Sequence, residues 1–131
     1  MRILGIDYGS ARIGVALGDT ENKIASPWRV IANEDVDDAV LQIGELAKTE
    51  HAEKIVIGVP FPLSDQTRVT DQAKEVRAFA EKLKAAGLPV EEENETLSTA
   101  MAASLAKELG ETGKRDDLAA TAILQSYLDR I

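Results

Sequence analysis

The run Arg2-Ile3-Leu4-Gly5-Ile6-Asp7-Tyr8-Gly9-Ser10-Ala11-Arg12-Ile13-Gly14-Val15-Ala16-Leu17-Gly18 decides the architecture. It holds two short apolar stretches, residues 2–7 and 13–18, separated by Gly9-Ser10-Ala11-Arg12. Both are too short for helices, and the small and polar residues between them are turn formers, so the pair reads as an antiparallel hairpin. The first stretch ends in an acid. A carboxylate at the C-terminal end of a central strand is held rigidly and faces the crevice where α/β sheets bind ligands. Asp is equally at home starting a turn, and position alone leaves both readings of Asp7 open.

Outward from the hairpin, residues 24–31 make a third strand, with Pro27 marking an edge or a bulge. From Asp35 the period changes. Val36, Ala39, Val40, Ile43, Leu46 and Ala47 recur at three- and four-residue spacings, which predicts a helix over 35–50. Residues 54–59 form an apolar, β-branched run suited to a strand covered on both faces. A proline-bearing loop follows over 60–65. A second helix carries Ala73, Val76, Ala80 and Leu83 on one face, with Gly87 just past its end. Pro89-Val90 opens a last strand that runs into Glu91-Glu92-Glu93-Asn94-Glu95, where residues 91–93 read as a solvated acidic face. Ser98 or Thr99 caps a helix through Leu109. A final helix over 116–128 buries Ala119, Ala122, Ile123 and Tyr127. The order βββαβαβαα is an α/β layout: an antiparallel start, then parallel crossovers, in one domain over residues 1–131.

Composition narrows the chemistry. The chain has no cysteine and a single histidine, His51, so thiolate metal sites, cysteine nucleophiles and multi-histidine zinc sites are excluded. No stretch approaches 18 apolar residues, which gives no membrane partner and a cytoplasmic expectation. With 15 Lys+Arg against 23 Asp+Glu the net charge is −8, so any contact with polyphosphate must come from cations gathered locally. Carboxylates are what remain. Glu95 ends the acidic run, Thr99 is most simply a helix cap, and Asp116 and Asp117 stand at a helix start, where capping alone would explain them. Oxygen-only ligands suit Mg²⁺ or Mn²⁺. Two such ions roughly 4 Å apart can activate water and stabilise the leaving oxygen of a phosphodiester without a histidine.

Four motifs, taken in order, resemble a known family: Asp7-Tyr8-Gly9-Ser10-Ala11-Arg12-Ile13-Gly14-Val15-Ala16, Ile57-Gly58-Val59-Pro60, Glu95-Thr96-Leu97-Ser98-Thr99, and Asp116-Asp117-Leu118-Ala119-Ala120 with Ile123-Leu124-Gln125-Ser126-Tyr127-Leu128-Asp129. Together they look like the YqgF family of bacterial Holliday junction resolvases, also described as the nuclease acting on the 5′ end of pre-16S ribosomal RNA. The resemblance implies a ribonuclease-H-like fold with a mixed five-stranded sheet flanked by helices. It also implies a divalent-metal nuclease whose acids match Asp7, Glu95 and Asp116, the last preferred over Asp117 by its spacing to the Ala-Ala pair. Arg12 falls on the family's hairpin arginine and Thr99 on a threonine beside the site. Arg68 and Arg115 lie next to motifs and are further candidates for nucleic-acid contact, while Lys23, Lys74, Arg77 and Lys114 read as ordinary solvated charges. Two positions depart from the pattern. Asn94-Glu95-Thr96 stands where Asp-Glu-Arg is usual, and Gln66 where a glycine is usual.

The resulting expectation is a metal-dependent endonuclease on structured RNA, with a ribosomal precursor as target, acting as a monomer or weak homodimer. The alternatives are a Holliday junction resolvase on branched DNA and a catalytically weak RNA-binding maturation factor. A sugar-kinase-like phosphotransferase uses a similar Asp-Xaa-Gly hairpin, but it closes two domains over its nucleotide, and this chain makes one.

Overall fold

The structure, a computed structural model, describes residues 1–61, 69–94 and 116–131, with side chains in the last segment from residue 118 onward. Five strands form one mixed sheet: β1 (Arg2–Tyr8), β2 (Arg12–Asp19), β3 (Ile24–Ala32), β4 (Ala52–Val59) and β5 (Val90–Asn94). Their order is β3-β2-β1-β4-β5. The pairs β1–β2 and β2–β3 are antiparallel, and β4 lies parallel to both β1 and β5. The helices are α1 (Val36–Thr49), α2 (Asp71–Ala85) and α3 (Asp116–Arg130). This is the ribonuclease-H-like arrangement expected, with boundaries moved by one or two residues. The helix expected over 98–109 lies outside the described residues.

Local chemistry explains where the elements stop. Asp35 Oδ1 accepts hydrogen bonds from the main-chain N–H groups of Asp37 and Asp38 at the start of α1, satisfying donors that a helix leaves unpaired. Thr70 Oγ1 does the same for Ala73 in α2. At the far end of α2 the Leu88 N–H reaches Leu83 O and the Gly87 N–H reaches Lys84 O, with Gly87 at φ +89°. That is a Schellman closure, and it needs the left-handed conformation glycine adopts freely. Pro27 sits on an edge strand beside a register shift, where Val15 faces Arg29 and Ala16 faces Pro27. The strand therefore carries both features expected of it, an edge position and a bulge.

The sheet is covered on both faces, and strand alternation sorts the side chains between them. Leu4, Ile6, Ile13, Val15, Ile55, Ile57 and Val59 pack under α1 and α2. Ile3, Ala16 and Val56 pack under α3 with Ala120, Ile123, Leu124, Tyr127 and Leu128. The expected buried face of α3 needs one correction. Ala122, Ile123 and Tyr127 are buried, but Ala119 is only half-buried, and Leu118, Ala120, Leu124 and Leu128 complete the contact. The helix is rotated so that Ala120 meets the sheet. There the glycines make room: a Cβ on Gly5 would stand 2.7 Å from Leu124 Cβ and 2.9 Å from the Ala120 carbonyl oxygen.

Candidate active site

Asp7 pairs with Gly14 near the C-terminal end of β1. By alternation with the buried Ile3 it points to the face covered by α3, and it is half-buried. The direction of α3 follows from its contacts. Leu128 and Leu124 lie over Gly18, which pairs with Ile3, while Leu124 and Ala120 lie over Gly5. The helix thus runs antiparallel to β1, with its start toward Asp7. One helical turn back from Ala120 covers ~6 Å and reaches Asp116, while two strand residues from Gly5 cover ~6.6 Å and reach Asp7. The two advance in step, so the backbone at the start of α3 lies over the end of β1.

Arg12 opens β2 opposite Ala32. It shares the parity of Gly14 and Ala16, hence the face and the edge of the sheet on which Asp7 stands. The turn before it is tight, because a Cβ on Gly9 would fall 2.5 Å from the Arg12 carbonyl oxygen. Residue 33 holds that turn from outside. Asn33 Nδ2 donates to Gly9 O at 2.8 Å, and the Asn33 N–H donates to Ala11 O at 3.0 Å. Nothing in the sequence marked Asn33, which reads as a loop residue ahead of the α1 cap. Its importance lies in a contact with a turn 24 residues away.

In the acidic strand β5, Glu91 and Glu92 are exposed, as the solvated reading expects, while Glu93 is largely covered. Glu91 pairs with Lys54, Glu92 with Arg77 and Glu93 with Arg130, at 3.0 to 3.1 Å. The Glu93 side chain is 11% exposed. Tyr127, buried in α3, sits between Lys54 and Arg130. Its hydroxyl accepts from Lys54 Nζ at 3.1 Å. Hydrogen bonding to Tyr127, then to Lys54, holds the Glu91 carboxyl below its ordinary value, and the same partners, Tyr127 and then Glu91, hold the Lys54 ammonium above its own. The Arg130 guanidinium is raised chiefly by its hydrogen bond to Glu93. Glu91 and Glu93 therefore face α3, and β5 ends at Asn94 opposite Val59, at the same edge of the sheet as Asp7.

On the opposite flank, Gln125 Oε1 accepts from the Ala25 N–H and Gln125 Nε2 donates to Lys23 O, while Lys23 Nζ donates to Ile131 O. Both flanks of the C-terminal half of α3 are thereby tied to the sheet. Of the residues read from the sequence as a site, the structure brings Asp7, Arg12 and the start of α3 to one edge. Glu95, Arg68, Thr99 and Arg115 lie outside the described residues, and Asp116 is placed by its backbone alone. Arg77 and Lys74 are ion-paired with Glu92 and Asp71, as solvated charges of helices are. His51, at φ +56° after the end of α1, is exposed and remote from this edge.

A family model described as RuvX, Holliday junction resolvase, matches residues 1–130. The chain belongs to this family. The family is one of nucleases, and the curated relatives carry nuclease names. A protein of Syntrophus aciditrophicus named "Putative pre-16S rRNA nuclease" is 42% identical, covering all of this chain and 90% of its own length. One of the same name from Fusobacterium nucleatum is 38% identical over 98% of this chain and 96% of its own. Among solved structures, RuvC of T. thermophilus in complex with a Holliday junction substrate aligns with a TM-score of 0.64 at 18% identity, covering 99% of this chain and 94% of its own. The large terminase nuclease of the thermophilic phage G20c with bound magnesium aligns at 0.61 and 16%, covering 96% and 80%. At that identity these two show the fold that RuvX shares with them.

Proposed function

We propose that this RuvX chain is a divalent-metal-dependent endonuclease on structured RNA, with the 5′ end of pre-16S ribosomal RNA as its target and residues 1–131 as one nuclease domain. The observation that carries the reading is Asp7: a half-buried carboxylate at the end of the central strand, with the start of α3 drawn over it. The relatives' name supplies the substrate.

The donor chemistry fits Mg²⁺ or Mn²⁺. A cysteine-free chain offers carboxylate oxygens, and its one histidine is elsewhere. Asp7, Glu95 and Asp116 are the residues that would hold the ion. A divalent ion bound there supplies water activation and charge neutralisation at the leaving oxygen. The chain itself does the rest. β1, paired with β4 through Ile6 and with β2 through Tyr8, fixes the backbone that carries Asp7. Arg12 offers a guanidinium to a substrate phosphate on the same face, which a bidentate fork suits. Arg68, Thr99 and Arg115 complete the proposed nucleic-acid contact. The net charge of −8 implies modest affinity at physiological salt, carried by those few cations.

The test is cleavage of an end-labelled pre-16S leader beside a four-way DNA junction, with Mn²⁺ or Mg²⁺. Asp7→Asn removes a ligand whose contribution of several kcal/mol corresponds to ~10²-fold or more in rate, while RNA binding persists. Cutting of the junction alone transfers the site to branched DNA, the substrate in the T. thermophilus complex. A well-folded protein that cuts neither is the RNA-binding maturation factor instead.

A further inference from the structure

Asn33 is 8% exposed, yet its polar groups are only half used. Nδ2 and the main-chain N–H tie both ends of the Gly9–Ala11 turn. Oδ1 is buried with no hydrogen-bond partner among the described residues. The opposite amide orientation would set Oδ1 against the Gly9 carbonyl oxygen, so the donor assignment is fixed by chemistry. A buried side chain that makes one good hydrogen bond and strands one acceptor adds little net stability, because the gain and the desolvation cost offset each other. Its work is geometric. The turn it holds connects Asp7-Tyr8 of β1 to Arg12, the first residue of β2, and Asn33 itself follows the end of β3. The two hydrogen bonds therefore join three strand ends at the edge where the site is read, and they hold the Gly9–Ala11 turn against the end of β3.

We propose that Asn33 is a positioning residue for substrate binding, which, by clamping the Gly9–Ala11 turn, sets the seat of a substrate phosphate on Arg12 beside Asp7. This rests on the reading of Arg12 as a phosphate contact. Asn33 touches no substrate; it acts through Arg12.

A double-mutant cycle tests this. Binding of an end-labelled pre-16S leader is measured by anisotropy in Ca²⁺ across a salt series, for wild type, Arg12→Ala, Asn33→Ala and the double variant. Loss of one phosphate contact lowers the slope of log Kd against log salt by ~0.7–0.9. Arg12→Ala should show that loss, and Asn33→Ala should show most of it while melting within a few degrees of wild type. The double variant should bind no more than about twofold weaker than Arg12→Ala, since one residue acts through the other. Asn33→Asp, equal in shape but presenting an acceptor to the Gly9 carbonyl, should reproduce the loss and serves if the alanine variant does not fold. If Asn33→Ala and Asn33→Asp keep the wild-type slope while Arg12→Ala loses it, the positioning role is wrong. Additive losses in the double variant also overturn it. If Arg12→Ala itself binds as wild type does, the phosphate reading of Arg12 fails, and with it the proposal.

Discussion

Gly5→Ala puts the seating of α3 to a direct test. The added Cβ would stand 2.7 Å from Leu124 Cβ and 2.9 Å from the Ala120 carbonyl oxygen. Carbon atoms rest at about 3.5–4.0 Å, so α3 must retreat by roughly 1 Å. Neither obstructing atom can rotate aside, because one is a backbone oxygen and the other is fixed to the backbone. Overpacking of this kind costs ~1–3 kcal/mol. For a chain of this size that lowers Tm by roughly 4–12 °C, which leaves the protein folded at 25 °C. The effect on catalysis should be larger in proportion. The start of α3 lies over Asp7, and a misplacement of ~1 Å in a catalytic arrangement costs ~10²-fold. Gly18→Ala is the control. Its Cβ meets Leu124 Cδ2 at 2.9 Å and Leu128 Cδ1 at 3.1 Å, the ends of side chains that can turn away, and only a mild backbone contact, Ile24 O at 3.3 Å, on the β3 side rather than on α3. Single-turnover cleavage with Mn²⁺, beside circular-dichroism melts, should show Gly5→Ala about a hundredfold slower and Gly18→Ala within a few-fold of wild type. A Gly5→Ala protein that melts several degrees lower yet cleaves at the wild-type rate would refute the idea that the height of α3 sets the site.

Tyr127→Phe removes the hydroxyl between Lys54 and Glu91 and should cost ~1 kcal/mol at neutral pH. Glu91 is held below 4.5, so its share of stability is present above that value and is lost as pH falls through the lowered one. Lys54 is held above 10.5, so its share is present below that value and is lost as pH rises through the raised one. The Tm gap between wild type and Tyr127→Phe should therefore be widest between those two values and should narrow as pH falls below 4.5, with the part due to the Lys54–Tyr127 hydrogen bond remaining; a gap that does not vary with pH would mean the hydroxyl acts by packing alone. Gln125→Met keeps the length of the side chain but leaves the Ala25 N–H without its acceptor. A cost of ~1–3 kcal/mol should appear as hydrogen exchange at Ala25 faster by ~10-fold or more, measured by NMR, whereas unchanged protection would show that the α3 flank holds without the amide.

The hairpin, the crossovers and most element ends could be read from residue pattern, because each was stated locally: a turn between two apolar runs, Asp35 ahead of a helical period, Gly87 after one. Three features could not. The rotation of α3 was ambiguous because Leu118 and all residues from Ala120 to Leu124 are buried. A helix buried nearly all round has no polar side to fix its phase. In the run Glu91-Glu92-Glu93 the solvated reading holds for the first two but not for Glu93, whose cover depends on Arg130 in another element. Asn33 was invisible for the same reason, its task being defined by a turn elsewhere. Of the proposed site, Asp7 was legible as an acid at a strand end and Arg12 as a cation beside it. That the last helix would be laid back over the first strand depends on Gly5 meeting Ala120, a contact between opposite ends of the chain.

That contact gives the protein an order of birth. The face of β1 bearing Ile3, Gly5 and Asp7 is made first and covered last, by residues 116–130. At ribosomal speeds of ~5–20 residues per second, the roughly one hundred residues between them take about 5 to 20 s to emerge. Through that interval the nascent chain holds Asp7 with no helix above it, and its apolar sheet face has only solvent or a chaperone for company. If Asp7 and the start of α3 form the site proposed above, an unfinished chain is an unarmed one: synthesis itself withholds the nuclease until that helix is made.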